Sequence, residues 1–362
     1  MSIEDEIEET EKKLRETPVN KSTETDRARL KSKIARLREK KEKQEKKSSG
    51  SGKGYAVRKR GDRTVALVGP PSVGKSTLLN KLTNADSEVG HYEFTTLDVI
   101  PGMMRYRGAY IQILDVPGLI GGAASGKGRG KEVLSVIRNS DMIVVMIDPD
   151  NLDRLEKIKD EIHDAGIRLN EDKPRIKIER RPKGGIDLTL PRDFSLNEET
   201  VKSVLRENGY LNCRLILKED LSVDEIIDGI MDNRVYIPAL TVFNKIEKLG
   251  DGELEKVRNR HPDFVPVSAE ETRNLEKLKE RIWEKLNVMR IYMKKIGKEP
   301  DKEEPFIVEK ESTIEEVKEK LPGEFKGELD YGKIWGPSAR FPGQKVGGDH
   351  VLKDEDVLEL HF

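Results

Sequence analysis

The chain has 362 residues, 35% hydrophobic and 37% charged, with a formal net charge of −1. That length calls for two or three domains with modest cores; no apolar run approaches the roughly 18 residues a membrane span needs, and the acidic start "MSIEDEIEE" is the opposite of a leader peptide. The single cysteine, Cys213, excludes a disulfide framework and any cysteine-built zinc site, and points to a reducing cytoplasm. Ile3, Ile7 and Leu14 recur at helical spacing, as do Leu30, Ile34 and Leu37, and "TPVNKSTE" with Pro18 separates the two sets. A helical hairpin is predicted over residues 1–50. From Arg27 to Arg60 there are 15 Lys or Arg against 3 Glu, a block suited to phosphate backbones or, equally, to a solvated helix face. "KKSSGSGKG" (46–54) then reads as a flexible linker.

"TVALVG" (64–69), "YIQILD" (110–115), "MIVVMID" (142–148) and "ALTVFN" (239–244) are short apolar runs, and "FVPVSA" (264–269) follows. Buried parallel strands have this character. Helical patterns lie between several of them, so an α/β domain over 62–290 is expected. Residues 165–236 are out of proportion for one crossover and are expected to form an inserted α+β subdomain. Within it, "RIKIERRPKGGIDLTL" predicts a β-hairpin, and two helical segments flank a strand-like "CRLIL". After residue 300, a strand, a helix capped near Ser312 or Thr313, and a final strand "DVLELHF" predict a β-grasp-like module over 300–362. Tyr331, Trp335 and Phe341 near Lys333, Arg340 and Lys345 either stack on RNA bases or fill its small core. The five histidines show no metal-ligand spacing.

"GPPSVGKS" matches Gly-x4-Gly-Lys-Ser between a predicted strand and a predicted helix. In such a turn the backbone N–H groups and the helix N-terminus face phosphate. The expected contacts are Gly69, Pro70, Pro71, Ser72, Val73, Gly74, Lys75, Ser76 and Thr77. Lys75 would reach the β- and γ-phosphates, and the Ser76 hydroxyl would bind Mg²⁺. "DVPG" supplies Asp115, expected to hold Mg²⁺ through water, and Gly118, whose N–H would sense the γ-phosphate. Of the adjacent hydroxyls at Thr95 and Thr96, Thr96 is favoured to complete the Mg²⁺ shell. Asn244 and Lys245 in "NKIE" are expected to brace the phosphate loop and cover a base, with Glu247 pairing the two donors of guanine and Ser268–Ala269 offering an N–H to its oxygen. "NKIE" and Ser268–Ala269 both lie at carboxyl ends of predicted strands, where open α/β sheets bind ligands.

"GPPSVGKSTLLNKLTN", "YEFTTLDVIPG", "ILDVPGLIGGAASGKGRGKEVL", "GIRLN" and "NRVYIPALTVFNKIE" resemble the developmentally regulated GTP-binding (DRG) family of Obg-type GTPases. The resemblance runs nearly end to end. It implies a P-loop GTPase domain, an insert similar to ribosomal S-five domain two, and a C-terminal TGS module at "WGPSARFPGQKVGGDHVLKDEDVLELHF". It also implies GTP hydrolysis with Mg²⁺, a regulatory partner protein, and association with ribosomes or RNA. Glu247 departs from the family's usual Asp. A related YchF-like branch of ATPases also ends its base motif in Glu and carries a TGS module, which makes ATP the alternative substrate; Lys245 and the position of the insert argue against that branch. Where many GTPases place a water-orienting Gln, this chain has Leu119 and Ile120, so slow intrinsic hydrolysis is expected, and a non-hydrolysing RNA- or ribosome-binding scaffold is a third alternative. Lys127 and Arg129 of the Gly-rich segment 121–132 are candidates to meet phosphate. Ser72 stands where some relatives hold K⁺ through an Asn, which leaves potassium open as a second ion.

Overall fold

The computed structural model describes residues 2–48, 59–83, 99–117, 130–231, 233–321 and 327–362. They form two compact units, one of Met1–Gly54 with Gly166–Tyr236, the other of Tyr55–Ala165 with Ile237–Phe362. The chain opens with helices α1 (Ile3–Glu16) and α2 (Glu24–Ser48). Ser2 and Asp5 form a capping box that starts α1, satisfying N–H groups the first turn leaves free. At its other end the Arg27 guanidinium donates to the carbonyls of Leu14 and Thr17, which closes the hairpin. The basic block of α2 is partly neutralised. Lys33, Arg38 and Lys41 pair with Glu6, Glu11 and Glu4 of α1 at 2.9, 2.7 and 2.7 Å, and Lys31 and Arg36 pair with Asp224 and Glu207. Of the linker 46–54, residues 46–48 are helical and the rest lies outside the described residues.

Next come β1 (Arg63–Val68), α3 (Lys75–Thr83), β2 (Ile100–Tyr106), β3 (Ala109–Asp115), α4 (Gly130–Arg138), β4 (Met142–Ile147) and α5 (Leu155–Asp164). The insert holds β5 (Ile167–Leu169), β6 (Ile176–Arg180), β7 (Ile186–Thr189), α6 (Glu198–Glu207), β8 (Cys213–Leu217), α7 (Val223–Ile230) and β9 (Val235–Ile237). The chain then returns through β10 (Ala239–Phe243), α8 (Asp251–Arg260), β11 (Val265–Pro266) and α9 (Leu275–Leu286). The main sheet has the order β11-β10-β4-β1-β3-β2. Its strand pairs are parallel except β2 with β3. Parallel pairing of Leu67 with Asp115, Val68 with Val145, and Phe243 with Ile147 brings the carboxyl ends of β1, β3, β4 and β10 to one edge. That edge is where the site forms.

The insert corrects one expectation. β6 and β7 do not pair with each other as a hairpin. β8 lies between them, antiparallel to β6 and parallel to β7. The turn instead wraps the start of β8, since Arg181 N–H donates to the Asn212 carbonyl and Cys213 N–H to that of Gly185. β8 alternates buried Cys213, Leu215 and Leu217 with half-buried Arg214 and Ile216, so it has the strongest claim to the central position. α7 and β5 are joined by a buried ion triad, in which Arg168 and Arg234 both donate to Asp228.

The final strands are β12 (Val288–Met293), β13 (Phe306–Glu309), β14 (Tyr331–Trp335), β15 (Gln344–Val346) and β16 (Asp356–His361), with α10 (Ile314–Lys320) after β13. They form one sheet, β13-β12-β16-β14-β15. This sheet begins at Val288, earlier than the expected boundary at 300, because β12 pairs with both β13 and β16. Thr313 caps α10 in a capping box with Glu316. The core under the sheet is Met289, Ile291, Val308, Ile314, Ile334, Leu358 and neighbours. Tyr331 and Trp335 do not fill it. Tyr331 stacks on His361 with Lys345 over its ring, and Lys294 lies over Trp335. Val288 and Ile307 also reach the core of the main sheet. No described helix is long and apolar enough to cross a membrane.

Candidate functional site

The turn from β1 into α3 has little room for side chains. A Cβ on Gly69 would lie 2.3 Å from the Met146 carbonyl oxygen, and one on Gly74 only 2.4 Å from Asn244 Nδ2. Gly74 also takes a φ of 96°, in the region that favours glycine. Between them Pro71 and Ser72 are exposed and Val73 is buried. Lys75 opens α3 and is itself buried. Its ammonium donates to the carbonyls of Gly69 and Pro70, both at 3.1 Å. Burial lowers its pKa, and the Asp115 carboxylate pulls the other way. Thr77 is half-buried in the first turn of α3.

Ser76 Oγ donates to Asp115 Oδ2 at 2.5 Å. Asp115 ends β3, next to β1 in the sheet, which explains how residues 39 apart in sequence meet. Two hard oxygen donors at a helix N-terminus suit Mg²⁺, which prefers carboxylate and hydroxyl oxygens. Thr96 and Gly118 lie outside the described residues, as do Leu119, Ile120 and residues 121–129.

The second half of the site comes from the carboxyl end of β10. Asn244 Nδ2 donates to the Val73 carbonyl at 2.9 Å, and its Oδ1 accepts from the Ala269 N–H at 3.0 Å. The Ala269 N–H thus has Asn244 as its partner, where the sequence suggests a base oxygen. Lys245 sits in the left-handed region (φ 63°), and its Nζ donates to the Ser72 carbonyl at 2.6 Å. Glu247 lies in a short 3₁₀ turn (Ile246–Lys248); its Oε2 is buried without a hydrogen-bond partner. Ser268 Oγ accepts the N–H of Glu271 and its backbone pairs with Arg273, which shapes the turn after β11. Phosphate-loop and base-motif residues therefore converge on one edge of the sheet, joined through Val73 and Ser72.

One participant is not among the sequence candidates. Asp148 follows β4, is 1% exposed, and forms an ion pair with Lys245 Nζ at 2.5 Å. Its other oxygen accepts from Asn151 Nδ2 at 2.6 Å. The available signal is the acidic end of "MIVVMID", a strand that ends at the same edge as Asp115 and Asn244.

A family model described as a 50S ribosome-binding GTPase matches residues 64–180, one for the C-terminal region of the same domain matches 183–288, and a TGS domain model matches 289–361. The chain is 46% identical to an uncharacterized GTP-binding protein of Halobacterium salinarum, over 99% of both chains. It is also 46% identical to one of Methanocaldococcus jannaschii, over 99% of this chain and 93% of that one. Developmentally-regulated GTP-binding protein 2 of Bos taurus is 40% identical over 99% of both. A P-loop GTPase domain followed by a TGS domain, with full-length identity at this level, makes the chain a member of the developmentally regulated GTP-binding protein family.

Proposed function

We propose that this chain binds a guanine nucleotide with Mg²⁺ at the edge formed by Gly69–Thr77, Asp115 and Asn244–Glu247, hydrolyses GTP, and uses its nucleotide state to regulate docking to a ribosome or another RNA. The observation that carries this is the double clasp between motifs: Asn244 to Val73 and Lys245 to Ser72. It holds a phosphate-type loop and a base-type loop at a fixed separation, as one nucleotide requires. The buried, unpaired Glu247 Oε2 supports guanine. An orphan acceptor costs roughly 1–3 kcal/mol, which two purine donors would recover and adenine would not.

Lys75 would exchange its carbonyl partners for phosphate oxygens. Ser76 and Asp115, with Thr96, would hold Mg²⁺, whose role when bound is to offset charge on the phosphates. The N–H groups at the start of α3 would face the same anion. Leu119 and Ile120 offer no side-chain hydrogen bond to a water, which supports slow turnover awaiting a partner protein. Pairing of Lys33, Arg38 and Lys41 with α1 reduces the positive charge that α2 can offer to an RNA.

Competition against labelled GDP tests the pocket. GTP and GDP should displace it, ATP should not, and removal of Mg²⁺ by EDTA should weaken GTP most. Tighter ATP binding would overturn the guanine assignment and favour the reading that Glu247 marks an ATPase. Equal ribosome affinity with GDP and with a non-hydrolysable GTP analogue would remove the switch.

A further inference from the structure

We infer that Asp148 is a positioning residue that sets Lys245 across the nucleotide pocket and, through Lys245, fixes the phosphate loop at Ser72. This deepens the proposal that the site binds guanine nucleotide and rests on it. The carboxylate is almost wholly removed from water. A charge so placed is costly unless paired and hydrogen-bonded, and both its oxygens are engaged, one by Lys245 and one by Asn151.

Lys245 is less protected. Its side chain keeps 22% of its exposure, and its backbone stands in a left-handed conformation that a lysine adopts at a cost. Two acceptors hold its ammonium, Asp148 Oδ2 and the Ser72 carbonyl. They come from different elements, the end of β4 and the β1–α3 turn. With both engaged, the ammonium is held at one point between the end of β4 and the β1–α3 turn. Without Asp148, Lys245 would keep one neutral acceptor, and a flexible ammonium would find water or phosphate instead. Ser72, itself left-handed (φ 62°), would lose the anchored partner that holds its carbonyl. Asp148 thus converts a mobile cation into a fixed wall of the pocket without touching the nucleotide.

A double-mutant cycle in the full chain tests this, using Asp148→Asn, Lys245→Met and the pair together, with GDP affinity read by calorimetry. Asp148→Asn should weaken GDP about tenfold, equivalent to about 1.4 kcal/mol, and the same change in the Lys245→Met background should cost less than about twofold. Equal losses in both backgrounds would overturn the proposal, since Asp148 would then act without Lys245. Lys245→Met leaves the buried Asp148 carboxylate without its cation, so thermal unfolding is followed for all four chains. Asp148→Glu, which keeps the charge and should retain most of the GDP affinity, replaces Asp148→Asn as the test if the latter folds poorly. A ligand-free readout runs beside it, in which mass spectrometry follows acylation of the Lys245 amine. Asp148→Asn should raise that labelling severalfold with no nucleotide present, and unchanged labelling would count against the pairing. If the wild-type chain binds no GDP, the nucleotide assignment falls and takes this one with it, whatever the labelling shows.

Discussion

Lys75 carries a charge that burial disfavours, and its pKa is lowered accordingly. A lysine whose folded-state pKa lies below its unfolded value costs stability while it is protonated in both states. That cost is relieved as pH rises through the folded pKa toward the unfolded one. The ligand-free chain should therefore gain stability relative to Lys75→Met as pH is raised from 7 toward about 10, as measured by thermal unfolding. A wild-type chain that loses ground over that range would reverse the sign. At pH 7 the same substitution should abolish the rise in melting temperature that GDP and Mg²⁺ produce. Gly74→Ala acts differently. It combines a strained φ with a clash on Asn244, so it should cost roughly 1–3 kcal/mol of stability and weaken GDP binding together; urea unfolding and calorimetry separate the two. Residues such as Gly74 were legible in the sequence because the backbone leaves them no alternative. Asp148 was not, because its role depends on β4 and β10 being neighbours, and the 97-residue separation between Asp148 and Lys245 says nothing of that.

At the scale of elements, apolar runs identified the strands well but their partners poorly. "RIKIE" and "IDLT" sit on either side of a Lys-Gly-Gly turn, and local chemistry favours a hairpin there. The competing factor is tertiary. β8 buries three of its five side chains fully, and a strand so apolar gains more in the middle of the sheet than at its edge. Sequence order carries no trace of this insertion. β12 was missed for a related reason, because it follows α9 directly and pairs only with strands that come later. Local caps were easier to read. Thr313 accepts from the Glu316 N–H at 3.3 Å, and Glu316 Oε2 accepts from the Thr313 N–H at 2.8 Å. Thr313→Ala should therefore destabilise the second unit by about 1 kcal/mol. Thr313→Ser, which keeps the hydroxyl, should recover most of the loss in urea unfolding followed by tryptophan fluorescence, which reports on this unit through Trp283 and Trp335. An equal loss for both would show that packing of the methyl group, not the cap, matters.

For the whole molecule, two spectroscopic reporters happen to be divided between the units. Both tryptophans, Trp283 and Trp335, lie in the second unit, and the single cysteine lies in the first. Cys213 is fully buried between strands of the insert, and burial pushes its thiol pKa up in spite of Arg180 and Arg181. A thiolate reagent should therefore reach it only when that unit opens. The first unit has its own core, built from Val204, Leu205, Leu215, Ile226 and their neighbours. The second is built around Val65, Ile113, Val144 and Val242. The proposed nucleotide contacts lie wholly in the second. A ligand stabilises what it binds by RT ln(1 + [L]/Kd), about 2.7 kcal/mol at a hundredfold excess over Kd. GDP with Mg²⁺ should accordingly move the tryptophan unfolding transition to higher urea while leaving the urea dependence of Cys213 labelling where it was. If labelling shifts in parallel, the units unfold as one, and nucleotide occupancy is felt by the hairpin and insert. The basic block of α2, whose pairing with α1 could not be read from its own composition, would then answer to the nucleotide as well.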